Sequence, residues 1–380
     1  MEYVRIGEIC SKVCSGGTPT SSNPNYYNGG IPWLNTNEVN FCNIYATNKT
    51  ISQEGLEHSA AKYIPVNTVI VAMYGVTAGK SAIAKIPLTT NQACCNLVID
   101  DNKADYQYVY YFLKQQSDNL NKLANGGAQQ NLNSLIIKKY KIALHSLQIQ
   151  HRIASILSAY DSLIENNTKR IRLLEKMAEN LYKEWFVRFR FPGYEKAEME
   201  NGLPKGWKRG SFSDICEFKR GKNITASEMV EGNVPVISAG IEPSGFHNKA
   251  NVEGISITMS SSGANAGYIT IHYSNIWAAD CSFIEEKMTP YIYYVYELLN
   301  NIRGVITNFQ RGAAQPHVYP KDINRIKLII PSERLMSLAD ERLSVIHRQI
   351  CNLQHQNTLL ARRRDLLLPR LMSGKLEVKP

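Results

Sequence analysis

The sequence of 380 residues contains no run of about 20 consecutive apolar residues, which is the length that a membrane-spanning helix requires. Its first ten residues also lack the apolar core of a secretory signal peptide. The eight cysteines include no Cys-x-x-Cys pair and no spacing typical of a zinc site. We therefore expect reduced thiols and a cytoplasmic protein without a membrane partner.

Motifs for nucleotide, methyl-donor and metal chemistry are also missing. Residues 75–81 read Gly-Val-Thr-Ala-Gly-Lys-Ser, but they have three residues, not four, between the first glycine and Gly-Lys. Asn23-Pro-Asn-Tyr26 lacks the second proline of the amino-methyltransferase signature, so we interpret it as a turn. No histidine pairs with a carboxylate at metal-ligand spacing, and His151, His347 and His355 are predicted at exposed helical positions. We predict no metal, no cofactor and no catalytic residue in this chain.

The charge balance favours a polyanionic partner. Lysine and arginine number 43 against 33 aspartates and glutamates, which gives a net charge of +10 and a pI near 9.1. Nucleic acid is the first candidate for such a partner and an acidic membrane surface is the second. Since 44% of the residues are hydrophobic, the chain can form two or three domains with real cores.

Two long amphipathic helices organise the chain. The first has a stripe of apolar positions with one central amide, in ten steps of three or four residues that cover 36 residues, at Ile149, Ile153, Ile156, Tyr160, Leu163, Asn167, Ile171, Leu174, Ala178, Leu181 and Trp185. The mean step is about 3.6, and neither proline nor glycine interrupts the pattern, so it predicts one helix roughly 54 Å long. A second stripe follows about 186 residues later, at Leu335, Ala339, Leu343, Ile346, Ile350, Leu353, Asn357, Leu360, Arg364, Leu367 and Leu371. Each helix therefore has a partner in the same chain.

An internal repeat extends into the segments before these helices. Gly263-Ala-Asn-Ala-Gly267 echoes Gly75-Val-Thr-Ala-Gly79, and residues 312–315 echo residues 126–129. In the first copy the patterns predict strands over 69–73, 82–86 and 96–99, a helix over 106–115 and a last strand over 135–144. Cys95 and Cys281 are 186 residues apart and are interpreted as core residues of the two copies.

The repeat predicts a domain–helix–domain–helix plan with a pseudo-two-fold axis and antiparallel helices. If the helices pair so that Asn167 faces Asn357, then Ile153 faces Leu371, Leu174 faces Ile350, Leu181 faces Leu343 and Trp185 faces Ala339. A buried asparagine pair fixes the register of two helices at some cost in stability. The alternative is that both amides lie at the solvent-exposed edge of the interface between the two helices.

Asn, Gln, Ser, Thr, Tyr, Lys and Arg are common on the expected loops, and these side chains contact base edges and phosphates. The candidate DNA-binding residues are Tyr74, Thr77, Lys80, Gln129, Gln130, Asn131, Ser261, Ser262, Asn265, Arg311, Gln315 and His317. The Gly-Ala-Gln framework of both copies has an alternative role, which is to brace each domain against its helix. The run Arg362–Arg364 is interpreted first as a solvated face.

The whole chain resembles the specificity subunit of type I restriction–modification systems. Leu147-Gln-Ile-Gln-His-Arg-Ile-Ala154 is similar to the family's entry into its first long helix, and Leu181-Tyr-Lys-Glu-Trp-Phe186 is similar to the exit. Residues 203–207 resemble the start of the second target-recognition domain, and residues 366–374 resemble the C-terminal ending. Leu144-His-Ser146 departs from the usual apolar-Pro-Pro entry, and residues 331–335 lack the family's Glu-Gln pair.

The resemblance implies an α+β fold with two target-recognition domains of mixed α/β structure and a coiled-coil-like spacer of two long antiparallel helices. On this basis we divide the chain into target-recognition domain 1 (1–145), a first spacer helix (146–190), a linker (191–206), target-recognition domain 2 (207–331), a second spacer helix (332–372) and a tail (373–380). The predicted helix–helix spacer residues are Ile153, Tyr160, Asn167, Leu174, Leu181, Trp185, Leu343, Ile346, Ile350, Asn357, Leu360 and Leu371.

The resemblance also implies a non-catalytic role. The chain would bind a bipartite sequence in double-stranded DNA and dock two methyltransferase subunits, which motor–nuclease restriction subunits would join. S-adenosylmethionine, ATP and Mg²⁺ would belong to those partners. A helix of roughly 54 Å spans about 16 base pairs of duplex, which agrees with a split site. The alternatives are a methyltransferase or nuclease with disguised motifs, and a purely structural coiled-coil scaffold.

Overall fold

The structure, a computed structural model, describes residues 2–123, 132–311 and 316–378. The chain divides into two compact units, one formed by Met1–Glu165 with Thr358–Pro380 and the other by Asn166–Asn357. Each unit therefore combines one globular domain with a part of both long helices. Within the described ranges, no helix has the length and apolar character needed to cross a membrane.

The first unit begins with strands and ends on the long helices. Its described strands are β1 (Glu2–Arg5), β2 (Cys10–Ser15), β3 (Tyr27–Leu34), β4 (Cys42–Ile44), β5 (Lys49–Ile51), β6 (Val69–Ala72), β7 (Ser81–Ala84), β8 (Thr89–Thr90), β9 (Cys94–Ile99) and β10 (Lys141–Leu144). Its described helices are α1 (Gln53–Glu57), α2 (Tyr106–Gln115), α3 (Ser117–Lys122), α4 (Ser134–Lys139) and the start of α5 (Leu147–Tyr182).

The second unit contains the end of α5 and most of the last helix. Its described strands are β11 (Met199–Glu200), β12 (Leu203–Pro204), β13 (Lys208–Ser211), β14 (Lys219–Arg220), β15 (Val234–Ile237), β16 (Gly245–His247), β17 (Ser256–Ser260), β18 (Ile269–His272), β19 (Trp277–Ala278), β20 (Cys281–Glu285) and β21 (Lys327–Ile330). Its described helices are α6 (Ile292–Asn301), α7 (Arg303–Thr307), α8 (Pro320–Ile323) and α9 (Glu333–Met372), whose final part from Thr358 belongs to the first unit.

The strand order shows that the two domains are copies of one fold. Among the described residues, the main sheet of the first unit has the order β2-β9-β6-β7-β4, and that of the second has the order β14-β20-β17-β18. A smaller sheet has the order β5-β3-β8 in one unit and β16-β15-β19 in the other, and its last pair is parallel in both. The antiparallel pair β1–β10 likewise matches β13–β21. Cys95 and Cys281 are fully buried in these sheets, as core residues of a repeat should be.

Both long helices are present, with α5 over Leu147–Tyr182 and α9 over Glu333–Met372. A π-helical turn at Lys183–Val187 continues α5 and buries Trp185 and Phe186. The helix α9 includes Pro369 in its last turn, so this proline does not end it. The segment that the sequence indicated as a linker contains a 3₁₀ turn at Tyr194–Lys196 and the short hairpin β11–β12.

Side-chain contacts join the two long helices within each unit, and in the first unit the contacts at 145–372 and 161–364 run in opposite senses along the chain, as antiparallel helices require. In the second unit, Asn167 Nδ2 donates to Gln356 Oε1 at 3.4 Å, and Asn357 Nδ2 donates to Thr168 Oγ1 at 3.4 Å. Each asparagine thus contacts the residue next to its predicted partner. In the first unit, His145 lies 3.3 Å from the carbonyl of Met372, and Asp161 pairs with Arg364.

The predicted spacer residues all lie at least partly inside the protein. Those that are buried are Ile153, Asn167, Trp185, Leu343, Ile350 and Leu371, and those that are half-buried are Tyr160, Leu174, Leu181, Ile346, Asn357 and Leu360. One other member of the predicted stripe is an exception, because Leu163 is 51% exposed. The neighbouring Ile164 is half-buried instead, which shifts the covered face by one residue at this point.

The prediction of a strand over residues 135–144 is wrong in its first half. Residues Ser134–Lys139 form α4, and only Lys141–Leu144 form a strand. The side chain of Asn133 caps the helix by accepting a hydrogen bond from the Ile136 backbone N–H at 2.9 Å. A short apolar run such as Ile136-Ile137 is compatible with either structure, and here the N-cap residue decides for the helix.

Candidate nucleic-acid interface

The turn between β6 and β7 carries three of the candidate residues. Gly75–Thr77 form a 3₁₀ turn, and the glycines at its two ends, Gly75 and Gly79, have φ angles of +75° and +80°. Residues with a Cβ rarely adopt this conformation, which explains the Gly-x-x-x-Gly spacing. The Thr77 hydroxyl donates a hydrogen bond to the carbonyl of Thr36 at 2.8 Å, which holds the turn against the segment that contains Thr36. Tyr74 is 40% exposed and Val76 is 96% exposed, so the turn presents these two side chains outward.

The second unit builds the same turn between β17 and β18. Gly263 and Gly267 have φ angles of +76° and +82° and enclose the 3₁₀ turn Gly263–Asn265. Ser262 is 6% exposed, and its hydroxyl donates to Asp280 Oδ2 at 2.7 Å. Asn265 is half-buried. The two copies thus share a backbone frame and present different side chains.

A second segment packs along each turn. The Val318 N–H donates to the Ser261 carbonyl at 3.0 Å, and the Gly263 N–H donates to the Pro316 carbonyl at 3.0 Å. In the first unit, the Leu132 N–H donates to the Met73 carbonyl at 2.8 Å. The loops that the sequence analysis proposed for DNA contact therefore lead directly into the segments that hold the turns. Gln129, Gln130, Asn131 and Gln315 themselves lie outside the described residues.

Arg311 and His317 form the end of this segment in the second unit. Their backbones pair with each other in both directions, with N···O distances of 3.0 and 2.8 Å. The Arg311 side chain is 62% exposed and reaches Asp322 Oδ1 at 3.2 Å, while the His317 ring stacks on Tyr319 with centroids 6.1 Å apart. An exposed guanidinium and a stacked aromatic pair are groups that can contact phosphates and bases.

The candidates fall into two structural groups. Thr77, Ser261 and Ser262 are buried, and their hydroxyl groups make hydrogen bonds or short contacts inside their own domains. Their side chains support the turns. Tyr74, Lys80, Asn265, Arg311 and His317 are exposed or half-buried and remain available to a ligand.

A buried polar contact that sequence reasoning missed joins α6 to α9. His347 was predicted to be exposed, but only 2% of its side chain is accessible. Its Nδ1 lies 2.8 Å from the Tyr273 hydroxyl, its Nε2 lies 3.3 Å from Glu297 Oε1, and its ring stacks on Tyr293. The prediction of an exposed His347 is wrong because α9 is buried on more than the face that contacts α5. The helix α6 packs against a second face of α9, and His347 lies there.

The first unit uses a different set of residues at the equivalent place. The hydroxyl group of Tyr111, on α2, donates a hydrogen bond to Asp161 on α5. Asp161 also forms a salt bridge with Arg364. Tyr111 and Asp161 precede Glu297 and His347 by 186 residues each. The offset shows that these positions correspond in the two copies, but only the packing of α2 and α6 against the long helices shows that the side chains touch.

The remaining ionisable groups give no metal centre. Within residues 2–123, 132–311 and 316–378, no group of three or more His, Cys, Asp or Glu side chains could hold a metal ion. Burial raises the pKa of Cys95 and Cys281 to about 12, which keeps both thiols protonated at neutral pH. Asn23 accepts a hydrogen bond from the Asn25 N–H at 3.1 Å, so the Asn-Pro-Asn-Tyr segment forms the predicted turn.

Comparison with known proteins gives a consistent result. A family model described as the type I restriction modification DNA specificity domain matches residues 1–176 and 204–334. The type I restriction enzyme MjaIX specificity subunit of Methanocaldococcus jannaschii is 28% identical over 408 aligned residues, which cover 98% of this chain and 92% of that protein. The EcoR124I/EcoR124II specificity subunit of Escherichia coli is 28% identical over 202 residues, covering 50% of this chain and 49% of that protein.

A solved structure shares the fold. The crystal structure of a type I restriction–modification S subunit from M. genitalium superposes with a TM-score of 0.63 at 20% sequence identity. The match covers 97% of this chain and 95% of that one. The likeness therefore extends over both domains and both long helices.

Proposed function

The chain belongs to the DNA specificity family of type I restriction–modification systems, and from this premise we propose that its two domains read the two halves of a split DNA sequence. The family's members that it resembles over most of their length are specificity subunits, which are not themselves catalysts. The established role is therefore recognition of DNA by two domains. The proposal concerns how this chain divides that task.

One observation carries the proposal, which is the repeated turn with unlike side chains. Gly75 and Gly79 in one copy and Gly263 and Gly267 in the other hold the same backbone conformation. Between and beside these glycines, Tyr74, Val76 and Lys80 in the first domain are replaced by Ser262, Ala264 and Tyr268 in the second. A rigid frame with variable side chains is suited to reading two different base sequences. We propose that Tyr74, Lys80, Asn265, Arg311 and His317 contact DNA.

The long helices serve as the spacer in this proposal. A helix of 36 residues, such as α5, is about 54 Å long and corresponds to about 16 base pairs of duplex. We infer that the spacer helices also dock two methyltransferase subunits, and that restriction subunits join this core. S-adenosylmethionine, ATP and Mg²⁺ then act in those partner subunits, in the cytoplasm. The net charge of +10 supports a polyanionic ligand.

Sequencing of methylated DNA tests the proposal. The chain is co-expressed with its methyltransferase subunits in a host that lacks adenine methylation, and the modified bases are mapped across the genome. We expect a split motif with one modified adenine in each half. A continuous motif, or no motif, would contradict the proposal.

Single substitutions in the two domains provide matched controls. We expect Tyr74→Ala to relax or abolish recognition at one half of the motif and His317→Ala to do so at the other half. Each variant leaves the opposite half unchanged, because each turn is held within its own unit. If either substitution alters both halves equally, the assignment of one domain to one half is wrong.

A further inference from the structure

A basic cleft lies beside the Tyr74–Lys80 turn in the first unit. The cleft has a volume of about 680 Å³ and is lined in part by Phe41, Lys80, Lys114 and Asn121. The Nζ atoms of Lys80 and Lys114 lie 5.9 and 5.7 Å from the centroid of the same Phe41 ring. Lys80 also donates to Asn40 Oδ1 at 2.8 Å. Two ammonium groups are thus held in one cleft by neutral partners.

Neither ammonium has a carboxylate partner. In the part of the chain that the structure describes, no carboxylate oxygen is recorded within 4 Å of either Nζ. Asp118 and Asp365 also line the cleft together with Arg364. Asp118 is exposed, and Asp365 accepts a hydrogen bond from Arg364, which Asp161 binds as well. Burial lowers the pKa of Lys114 by more than the nearby carboxylates of Asp161 and Asp365 raise it, which indicates that the folded chain stabilises its charge less well than water does. A bound anion would supply the remaining compensation.

The second unit has lost this arrangement. Tyr268 stands at the position of Lys80 in the repeated turn, and Asn300 stands 186 residues after Lys114. Both line the corresponding cleft of the second unit, which has a volume of about 630 Å³. In that cleft three basic side chains are matched by three carboxylates; these residues are Arg172, Lys176, Arg303, Glu175, Glu179 and Glu297. Arg303 lies over the Tyr268 ring at 4.8 Å. The paired lysines are therefore a property of the first domain and not of the repeated fold.

We propose that Lys80 and Lys114 form a phosphate clamp that binds the DNA backbone beside the half-site read by the first domain, an inference that rests on the proposed function. The clamp carries no base information, because phosphates are common to all sequences. It anchors the first domain electrostatically, whereas the second domain relies on the side chains of its turn and of the Arg311–His317 segment. The two halves of the site therefore contribute unequally to the salt dependence of binding.

The test uses the complex of this chain with its methyltransferase subunits. Its affinity is measured for a DNA duplex that carries the motif found by methylation sequencing. A scrambled duplex serves as the reference, and salt is varied. Each neutralised phosphate contributes about −0.9 to the slope of log affinity against log salt. For Lys80→Gln with Lys114→Gln we expect a slope shallower by about 1.8 and an affinity about 60-fold lower at about 0.1 M salt. Lys80→Gln alone should show about half the change in slope.

Two control variants isolate the clamp. Lys80→Arg with Lys114→Arg keeps both charges and should keep the slope. Lys62→Gln with Lys103→Gln removes the same charge from exposed positions of the same unit and should change the slope less. Inorganic phosphate has the same kind of oxygen atoms as the DNA backbone. The melting temperature of the complex is therefore measured in phosphate and in chloride at equal ionic strength, for the wild type and for the glutamine variants.

The outcomes separate this inference from the proposed function. If the wild-type complex binds its motif no more tightly than the scrambled duplex, the proposed function fails and the clamp fails with it. If specific binding is intact but the glutamine variant keeps the wild-type slope, or the control variant loses as much, the clamp alone is overturned. Phosphate stabilisation that depends on both lysines, combined with an unchanged DNA slope, would assign the cleft to a free anion and also overturn the clamp.

Discussion

Replacement of His347 by alanine should destabilise the second unit strongly. His347 lies on α9 with 2% of its side chain accessible, and Glu297 on α6 faces it with 6% accessible. The imidazole contacts both the Tyr273 hydroxyl, at 2.8 Å, and the Glu297 carboxylate, at 3.3 Å. The substitution therefore leaves two buried polar groups without this partner and opens a cavity beside Tyr293, on which the ring stacks.

The size of the effect follows from the two buried polar groups that lose their partner. Each buried group left without a hydrogen-bond partner costs about 1–3 kcal/mol, so the two together cost about 2–6 kcal/mol. A domain of about 150–250 residues loses about 2–4 °C in melting temperature per kcal/mol. We therefore expect the transition of the second unit to fall by roughly 4–24 °C.

Differential scanning calorimetry of the purified chain measures this shift. His355→Ala is the matched control, because His355 is an exposed histidine two turns later on the same helix. The double variant His347→Leu with Glu297→Leu should recover part of the loss, because it also removes the Glu297 carboxylate and leaves only the Tyr273 hydroxyl without this partner. A decrease below about 1 kcal/mol for His347→Ala, or an equal decrease for His355→Ala, would refute the reasoning.

Two further predictions concern the turn glycines and a half-buried histidine, His272. Gly75→Ala and Gly79→Ala both place an alanine at a positive φ angle. Only at position 79 does the new Cβ come within 2.8 Å of Asn121 Oδ1, whereas no atom lies within 4 Å at position 75. Gly79→Ala should therefore lower the free energy of unfolding, measured with denaturant, by about 1–3 kcal/mol more than Gly75→Ala does. Burial lowers the pKa of His272 from 6.5 to about 4. The unfolded chain then takes up the proton first as the pH falls, so up to about 3 kcal/mol of stability should be lost between pH 6.5 and pH 4.

Each of these predictions has its own contradicting result. Equal unfolding free energies for the two alanine variants would show that the turn moves away from Asn121 at no cost. For the histidine, His272→Gln removes the titration while keeping a polar group near the Thr258 hydroxyl, which lies 2.8 Å from the ring. If this variant loses as much stability on acidification as the wild type, His272 does not cause the loss.

Local chemistry made several features predictable. The helix of residues 106–115 was predicted with the bounds that the structure shows, and the Asp105 side chain caps its first turn by accepting a hydrogen bond from the Tyr108 N–H. The glycines of the two turns were recognisable because only glycine readily adopts their positive φ angles. The long helices followed from stripes that recur at an offset of about 186 residues, whereas the predicted facing of Asn167 and Asn357 stays a prediction, because each contacts the neighbour of its predicted partner.

Other features depended on which surfaces meet. Leu163 fits the apolar stripe but is exposed, and His347 is polar but buried. The burial of these two positions depends on how the domains pack on the helices and not on the contact between the two helices alone. Residues 134–139 became a helix because Asn133 caps their first turn.

The sequence by itself determined the duplication, the two long helices and the shared frame of the two turns, since each depends on residues that are close together or on the internal repeat. Only the tertiary structure decided which candidate side chains support the turns and which point outward. It alone also brought Lys114 to the same aromatic ring as Lys80, and Glu297 to His347, although these pairs are 34 and 50 residues apart in the chain. Periodicity describes one element at a time, whereas such contacts arise from the packing of one element against another.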